Sequence, residues 1–270
     1  MIWQGLLVSV RDAVEAEAAL AGGAAIIDVK DPAAGSLGAA SAAAVAAVAA
    51  TVGQRAAWTV AAGELRDELA CPGTIQRWLA AIAAAAGPAP GAMPAAVKVG
   101  LAGLAGSAWQ PAFHQVMNKL PATIARVAVA YADWERAAAP HPLEIIDAAE
   151  PLCGVRSNPV SSGVLLIDTA DKSGPDLLHA CSWTDLETWV AAARRAGMAV
   201  AVAGRLQLEA IPRVARLRPD VVALRSAVCS NTRLGPVDVA LVRRAAAAVD
   251  LLETPSHGTA RTSRPPLSPP

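Results

Sequence analysis

Lysine is scarce. Of the 23 basic residues in this 270-residue chain, only four are lysines: Lys30, Lys98, Lys119 and Lys172. A chain that uses arginine wherever it needs a surface cation keeps lysine for a task a guanidinium cannot perform, and losing a proton is the obvious one. Basic runs are missing from the body of the chain, and 23 acidic residues balance the basic ones. That excludes a nucleic-acid groove or an anionic membrane surface as the expected partner. Long hydrophobic runs are missing too; the Ala-rich stretches near 39–50 and 79–86 are too short and too weakly apolar to span a bilayer. No basic segment precedes the first apolar residues, and Arg11, Asp12 and Glu15 interrupt the apolar run soon after it begins, so no secretory signal is expected. Cys71, Cys153, Cys181 and Cys229 form no C-x-x-C pair and have no histidine at ligand spacing. They read as reduced, buried thiols of a cytoplasmic protein, with no metal centre. Aromatics make up 3% of the chain against 54% apolar content, so the core must be mostly Ala, Val and Leu.

What is present is a rhythm. Eight short apolar runs without polar alternation occur at 6–10, 25–29, 57–61, 96–100, 124–130, 164–168, 199–203 and 221–225, each followed by a segment able to form a helix. Such runs fit strands covered by helices outside and packed side chains inside, and eight of them predict an α/β fold, a (β/α)8 TIM barrel. Helix signals fill the gaps. Asp12 with Glu15 predicts a capping-box start ended by Gly22-Gly23, and Ser182 with Asp185 another start before 186–196. Pro72 and Pro236 are placed to open helices and Ser107 to cap one. The barrel is expected to occupy 1–253. The remaining 254–270 is Pro-rich, lacks apolar content to bury, and reads as a disordered tail.

The chemistry is expected at the carboxyl ends of the strands. In Ile26-Ile27-Asp28-Val29-Lys30-Asp31-Pro32, period two sends Asp28 and Lys30 to the same side of a strand, the interior if the sheet closes. Desolvating both charges costs several kcal/mol each and needs a reason. For this stretch alone, a structural ion pair at the rim would be reason enough. Lys98 lies in the fourth run and Lys172 just after the sixth, which ends in Asp168, whereas Lys119 closes a helix and reads as a surface residue. Two acids and three amines at one mouth make a charged cage. A partly desolvated lysine among other cations loses its proton more easily, which is how Schiff-base amines are activated. After the last two strands, Gly204 and Arg205, and Arg225 with Ser226 and Ala227, occupy the usual barrel position for a phosphate held by backbone N–H groups. Arg205 or Arg225 would add charge there. Gly35-Ser36-Leu37-Gly38 is read as opening the second helix, where Ser36 would help cradle a second anion.

These residues resemble those of the (5-formylfuran-3-yl)methyl phosphate synthase family. The resemblance is carried by 6–10, by 22–32 with Gly35-Ser36-Leu37-Gly38, by Val97-Lys98-Val99-Gly100, by Asp168-Thr169-Ala170 with Lys172 and Gly174, by Ala203-Gly204, and by Leu224-Arg225-Ser226-Ala227-Val228-Cys229. It runs from about residue 6 to 249, with the motifs arriving in order at separate strand ends. It implies a barrel lyase of methanofuran-type cofactor biosynthesis that condenses two molecules of glyceraldehyde 3-phosphate, releasing water and phosphate, with no metal and no organic cofactor. Lys30 looks like the Schiff-base lysine and Lys98 like the proton acceptor, with Asp28, Asp168 and Lys172 in acid/base and phosphate-handling roles. The chain departs from the pattern at Gly63-Glu64, where the family has Gly-Asp, in the segment after Asp133 that contains Trp134, Pro140 and Pro142, and in the tail.

Two other readings stand beside this one. A generic class I aldolase acting on another sugar phosphate would use the same lysine, and its product would lack the near-ultraviolet absorbance of a furan. A barrel that binds a phosphate ligand without turnover would show no activity when purified. The partner is expected to be a small sugar phosphate. Oligomeric state, a homo-oligomer included, stays open, as do the order of steps, which phosphate leaves, and the roles of Glu64, Tyr131, Cys229 and the tail.

Overall fold

Strands that are apolar on both faces require cover on both faces. In the computed structural model, which describes residues 3–88, 91–153 and 163–253, they have it. β1 (Gly5–Val10) is followed by α1 (Ala13–Ala21), β2 (Ile26–Val29) by α2 (Ala42–Val52), and β3 (Ala57–Glu64) by α3 (Leu65–Ala70) and α4 (Thr74–Ala86). β4 (Ala96–Gly100) precedes α5 (Gln110–Asn118), and β5 (Ala125–Tyr131) precedes α6 (Pro142–Ala149). β6 (Val164–Asp168) leads to α7 (Leu177–Ala180) and α8 (Trp183–Arg195), β7 (Ala199–Val202) to α9 (Ile211–Val214), and β8 (Val221–Leu224) to α10 (Val239–Glu253). All eight strands pair in parallel in chain order, and β8 pairs with β1 to close the barrel. The fold is the expected (β/α)8 barrel. The tail at 254–270 lies outside the described residues.

Each strand sends alternate residues in and out. Leu7, Ile26, Ala61, Ala96, Val127, Leu166, Ala201 and Ala223 belong to the inner cluster, with Trp3 and Tyr131. Leu6, Val8, Ile27, Val29, Val60, Val97 and Val99 belong to the outer one, against the helices. The alanines inside are what make room for the few bulky rings. Each fully buried Val, Leu or Ile contributes roughly 1.5–3 kcal/mol, so a core poor in aromatics still suffices at this chain length.

Element ends follow local chemistry, with some corrections. β3 continues three residues past the expected end, through a register shift between Ala61 and Glu64. Asp12 caps α1 by accepting the Glu15 N–H (2.9 Å), but the Glu15 carboxylate turns away to Arg11 and Arg225 instead of closing the box. Ser182 and Asp185 form the complete box of α8. Ser107 caps nothing: its hydroxyl donates to the Leu104 carbonyl (2.8 Å), and α5 starts at Gln110. The expectation that Gly35-Ser36-Leu37-Gly38 opens α2 is also corrected, because the cap is Ser41, which accepts the Ala44 N–H. Pro72 and Pro236 lie two and three residues ahead of α4 and α10. All four cysteines are free, but only Cys229 is buried and Cys71 is exposed. Among the described residues no helix is long and apolar enough to cross a membrane.

Candidate active site

The inward positions near the carboxyl ends of β2, β4 and β6 carry the charges that the sequence placed there. Asp28 on β2 stands in register between Ser9 on β1 and Thr59 on β3, and both neighbours donate to it. The Ser9 hydroxyl reaches Oδ2 (3.1 Å) and the Thr59 hydroxyl reaches Oδ1 (2.7 Å). Lys98, rising from β4, pairs with the same carboxylate. Across the barrel Asp168 accepts Lys172 Nζ (2.6 Å) and the Thr169 N–H (2.8 Å). Burial opposes ionisation of Asp168, but Lys172 and Lys30 outweigh it and hold the carboxyl below its ordinary value. Each of the two acids therefore holds one of the amines.

Lys30 is the third amine. It is 7% exposed, and its amine makes no hydrogen bond or ion pair among the described residues. Burial lowers its pKa to about 7; Asp168 and Asp28 pull upward, and Lys172 and Lys98 push further down. The main cause is thus desolvation, with the neighbouring lysines a smaller contribution than the sequence alone suggested. Asp28, Lys30, Lys98, Asp168 and Lys172 all line one cavity at the mouth.

The far wall of this cavity comes from the loops after β7 and β8, where Gly204, Arg205, Leu206, Arg225, Ser226 and Arg233 line it. Gly204 (φ 101°) and Arg205 (φ 57°) both adopt positive φ. An added Cβ at Gly204 would press on Leu177 and Thr169 at 3.0 and 3.2 Å. The N–H groups of Gly204, Arg205, Ser226 and Ala227 find no protein acceptor among the described residues, which leaves backbone donors for an anion. Ala227 itself does not line the cavity.

Two expected phosphate ligands are placed otherwise. All five N–H bonds of Arg225 have protein acceptors: Nε donates to the Arg233 carbonyl, Nη1 to Ser9 O and Glu15 Oε2, and Nη2 to Glu15 Oε1 and Gly235 O. Its guanidinium has no donor left, so it is a structural tie. The Ser36 hydroxyl directs its one proton towards Asp168 Oδ2 (3.2 Å) and the Thr169 carbonyl (3.0 Å), and it holds the loop after β2 against β6. Arg233, a residue that no sequence motif singled out, instead reaches the mouth half-buried.

Beside the cage sits a second polar pair. Tyr131 donates its hydroxyl to Glu64 Oε1 (2.6 Å), and the Ala102 N–H donates to Oε2 (2.9 Å). Burial raises the pKa of both side chains. Gly100 lies against them so closely that an added Cβ would fall 2.5 Å from the Tyr131 hydroxyl. Cys229 is buried where residue 229 bridges Val237, and desolvation raises its pKa. No three His, Cys, Asp or Glu side chains converge as a metal site would require among the described residues.

Known proteins resemble this chain over most of its length. The model of the 4-HFC-P synthase family matches residues 6–246. The (5-formylfuran-3-yl)methyl phosphate synthase of Archaeoglobus fulgidus is 31% identical over 245 residues, covering 88% of this chain and 95% of that protein. Those of Methanopyrus kandleri (30%, covering 90% and 98%) and Methanocaldococcus jannaschii (31%, covering 88% and 96%) are similarly related. Among solved structures, 3-hexulose-6-phosphate synthase of Salmonella typhimurium superposes with a TM-score of 0.56 at 14% identity, covering 92% of this chain and all of that one. Phosphoribosyl anthranilate isomerase of Thermotoga maritima does so at 0.53 and 12%, covering 92% and 98%. At such identity these two likenesses concern the barrel alone.

Proposed function

The chain belongs to the 4-HFC-P synthase family, and from that premise we propose that it is an enzyme making (5-formylfuran-3-yl)methyl phosphate from two molecules of glyceraldehyde 3-phosphate, in methanofuran-type cofactor biosynthesis. The atoms balance when the two triose phosphates lose one phosphate and two waters. The single observation that carries the reading is the inequality of the three amines: Lys98 and Lys172 each have a carboxylate, and Lys30 has none and titrates at about 7. A buried amine that is largely neutral near pH 7 is the nucleophile an aldehyde requires.

In this mechanism Lys30 attacks the aldehyde carbon, and loss of water leaves an iminium. The iminium acidifies the adjacent C–H, and Lys98, having passed its own proton to the Asp28 carboxylate it contacts, takes that one as a neutral amine. The enamine then adds to the second aldehyde. Asp168, kept ionised, holds Lys172 as the proton donor for the departing oxygens. The backbone donors of Gly204, Arg205 and Ser226, with the Arg205 guanidinium, which is unpaired among the described residues, receive a substrate phosphate. The lysine chemistry runs without a metal or an organic cofactor. Its partner is a small sugar phosphate, met in the cytoplasm. Borohydride added with glyceraldehyde 3-phosphate should attach the reduced triose to the Lys30 peptide, and the product should absorb in the near ultraviolet. An unlabelled Lys30 peptide, with turnover intact in Lys30→Ala, would remove the mechanism. An aldol product without furan absorbance would redirect the reading to a class I aldolase.

A further inference from the structure

Two arginines eight positions apart reach the same end of the barrel, and their donors are used in opposite ways. Arg225 spends its whole fork on protein acceptors. Arg233 spends two N–H groups, Nη1 on the Pro32 carbonyl (2.6 Å) and Nη2 on the Gly35 carbonyl (2.8 Å), and the other three have no acceptor among the described residues. Its guanidinium lines the cavity that also holds Lys30 and Lys172. The loop that delivers it is firmly built. The Ser230 N–H donates to Pro236 O and the Gly235 N–H to Thr232 O (each 2.9 Å), while the Arg233 carbonyl accepts Arg225 Nε. A group so placed faces Asp168 across the mouth, and burial lowers its basicity while Asp168 raises it. A guanidinium with three N–H groups uncommitted, half-buried and held by its own loop, is arranged to meet a planar or tetrahedral oxyanion.

We propose that Arg233 is the side chain that grips a substrate phosphomonoester at the mouth, and that through Pro32 and Gly35 it fastens the loop leaving Lys30 while doing so. The proposal rests on the triose phosphate reading above and assigns it a specificity-determining residue. Gly204 and Ser226 supply neutral backbone donors, and Arg233 supplies the charge that the sequence suggested for Arg225. A phosphate seated there keeps its triose within reach of Lys30, whereas an unphosphorylated aldehyde gains nothing from the guanidinium.

Inorganic phosphate is the probe. In the wild-type protein, phenylglyoxal should modify Arg233, and millimolar phosphate should protect it, as read from the modified peptides by mass spectrometry. Arg233→Gln should raise KM for glyceraldehyde 3-phosphate and the inhibition constant of inorganic phosphate together, by about 10- to 100-fold, with kcat changed far less. Arg233→Lys should recover part of both. Modification of Arg233 at the same rate with and without phosphate overturns the proposal. So does an Arg233→Gln protein that loses melting temperature and kcat while its phosphate inhibition is unchanged, because that is the behaviour of a latch alone. Protection measured in Lys30→Ala separates the two readings. It persists if only the Schiff-base assignment is wrong, and it is absent if Arg233 does not bind phosphate.

Discussion

At the scale of the residue, the molecule turns on one amine made different from its neighbours. The folded-state pKa of Lys30, about 7, lies below the ordinary lysine value of 10.5. Between those values the unfolded chain binds more protons than the folded one, so the contribution of this residue to stability rises with pH across that window. Its cost is fully present below about pH 7. Lys30→Met should therefore abolish turnover yet raise the melting temperature at pH 6, a gain of up to a few kcal/mol that shrinks towards pH 10; calorimetry across that range checks it, and a gap constant with pH would contradict it. In the wild type, kcat/KM should fall about tenfold per pH unit below 7, as the neutral amine is titrated away. The lysines were legible in the sequence because there are so few of them. The arginines were not. Arg225 is neutralised by Glu15, 210 positions away, and no local pattern reports that it is spent while Arg233 keeps three N–H groups without an acceptor among the described residues. Nor did spacing reveal that burial, ahead of like charge, sets the basicity of Lys30.

At the scale of the element, the strands were read closely because a buried parallel strand is written as an unbroken apolar run. The miss at β3 has a cause: the chain bulges after Ala61 and pairs again at Glu64, which turns the carboxylate towards β5 and Tyr131. Helix starts were read less well, since a serine marks a cap only if it is not already taken, as Ser107 is by Leu104. The Glu64–Tyr131 pair yields a test. β4 carries Lys98 two residues before Gly100, where only hydrogen fits beneath the two side chains. Gly100→Ala must push Glu64 and Tyr131 apart or bend β4, at a cost of roughly 1–3 kcal/mol. Activity should drop with stability, since Lys98 moves with its strand. A melting temperature and kcat both equal to wild type would show that the pair yields without strain.

At the scale of the whole molecule, a barrel is only as sound as its closure, and here β8 meets β1 beneath a buried ionic tie. Arg225 from the β8 end bonds Ser9 O on β1 and, at 2.5 and 3.1 Å, Glu15 on α1, which also holds Arg11. Burial works against the Glu15 charge, yet Arg225 and Arg11 keep its pKa below the ordinary carboxyl value. The stabilisation is thus present above the unfolded-state value and lost as pH falls through the folded one. Glu15→Gln should leave a buried guanidinium uncompensated and cost about 3–5 kcal/mol, with the deficit against wild type narrowing in acid; a urea titration at two pH values reads both. The segment leaving Lys30 is fastened to other parts of this rim: Leu37 O to the Gly63 N–H (3.0 Å), Ser36 to Asp168, and the Pro32 and Gly35 carbonyls to Arg233. On the mechanism proposed above, an amine on so stiff a mount cannot retreat from the carbon it has captured; release of the finished aldehyde would then wait on water arriving at the imine, and the wetness of the mouth would throttle turnover.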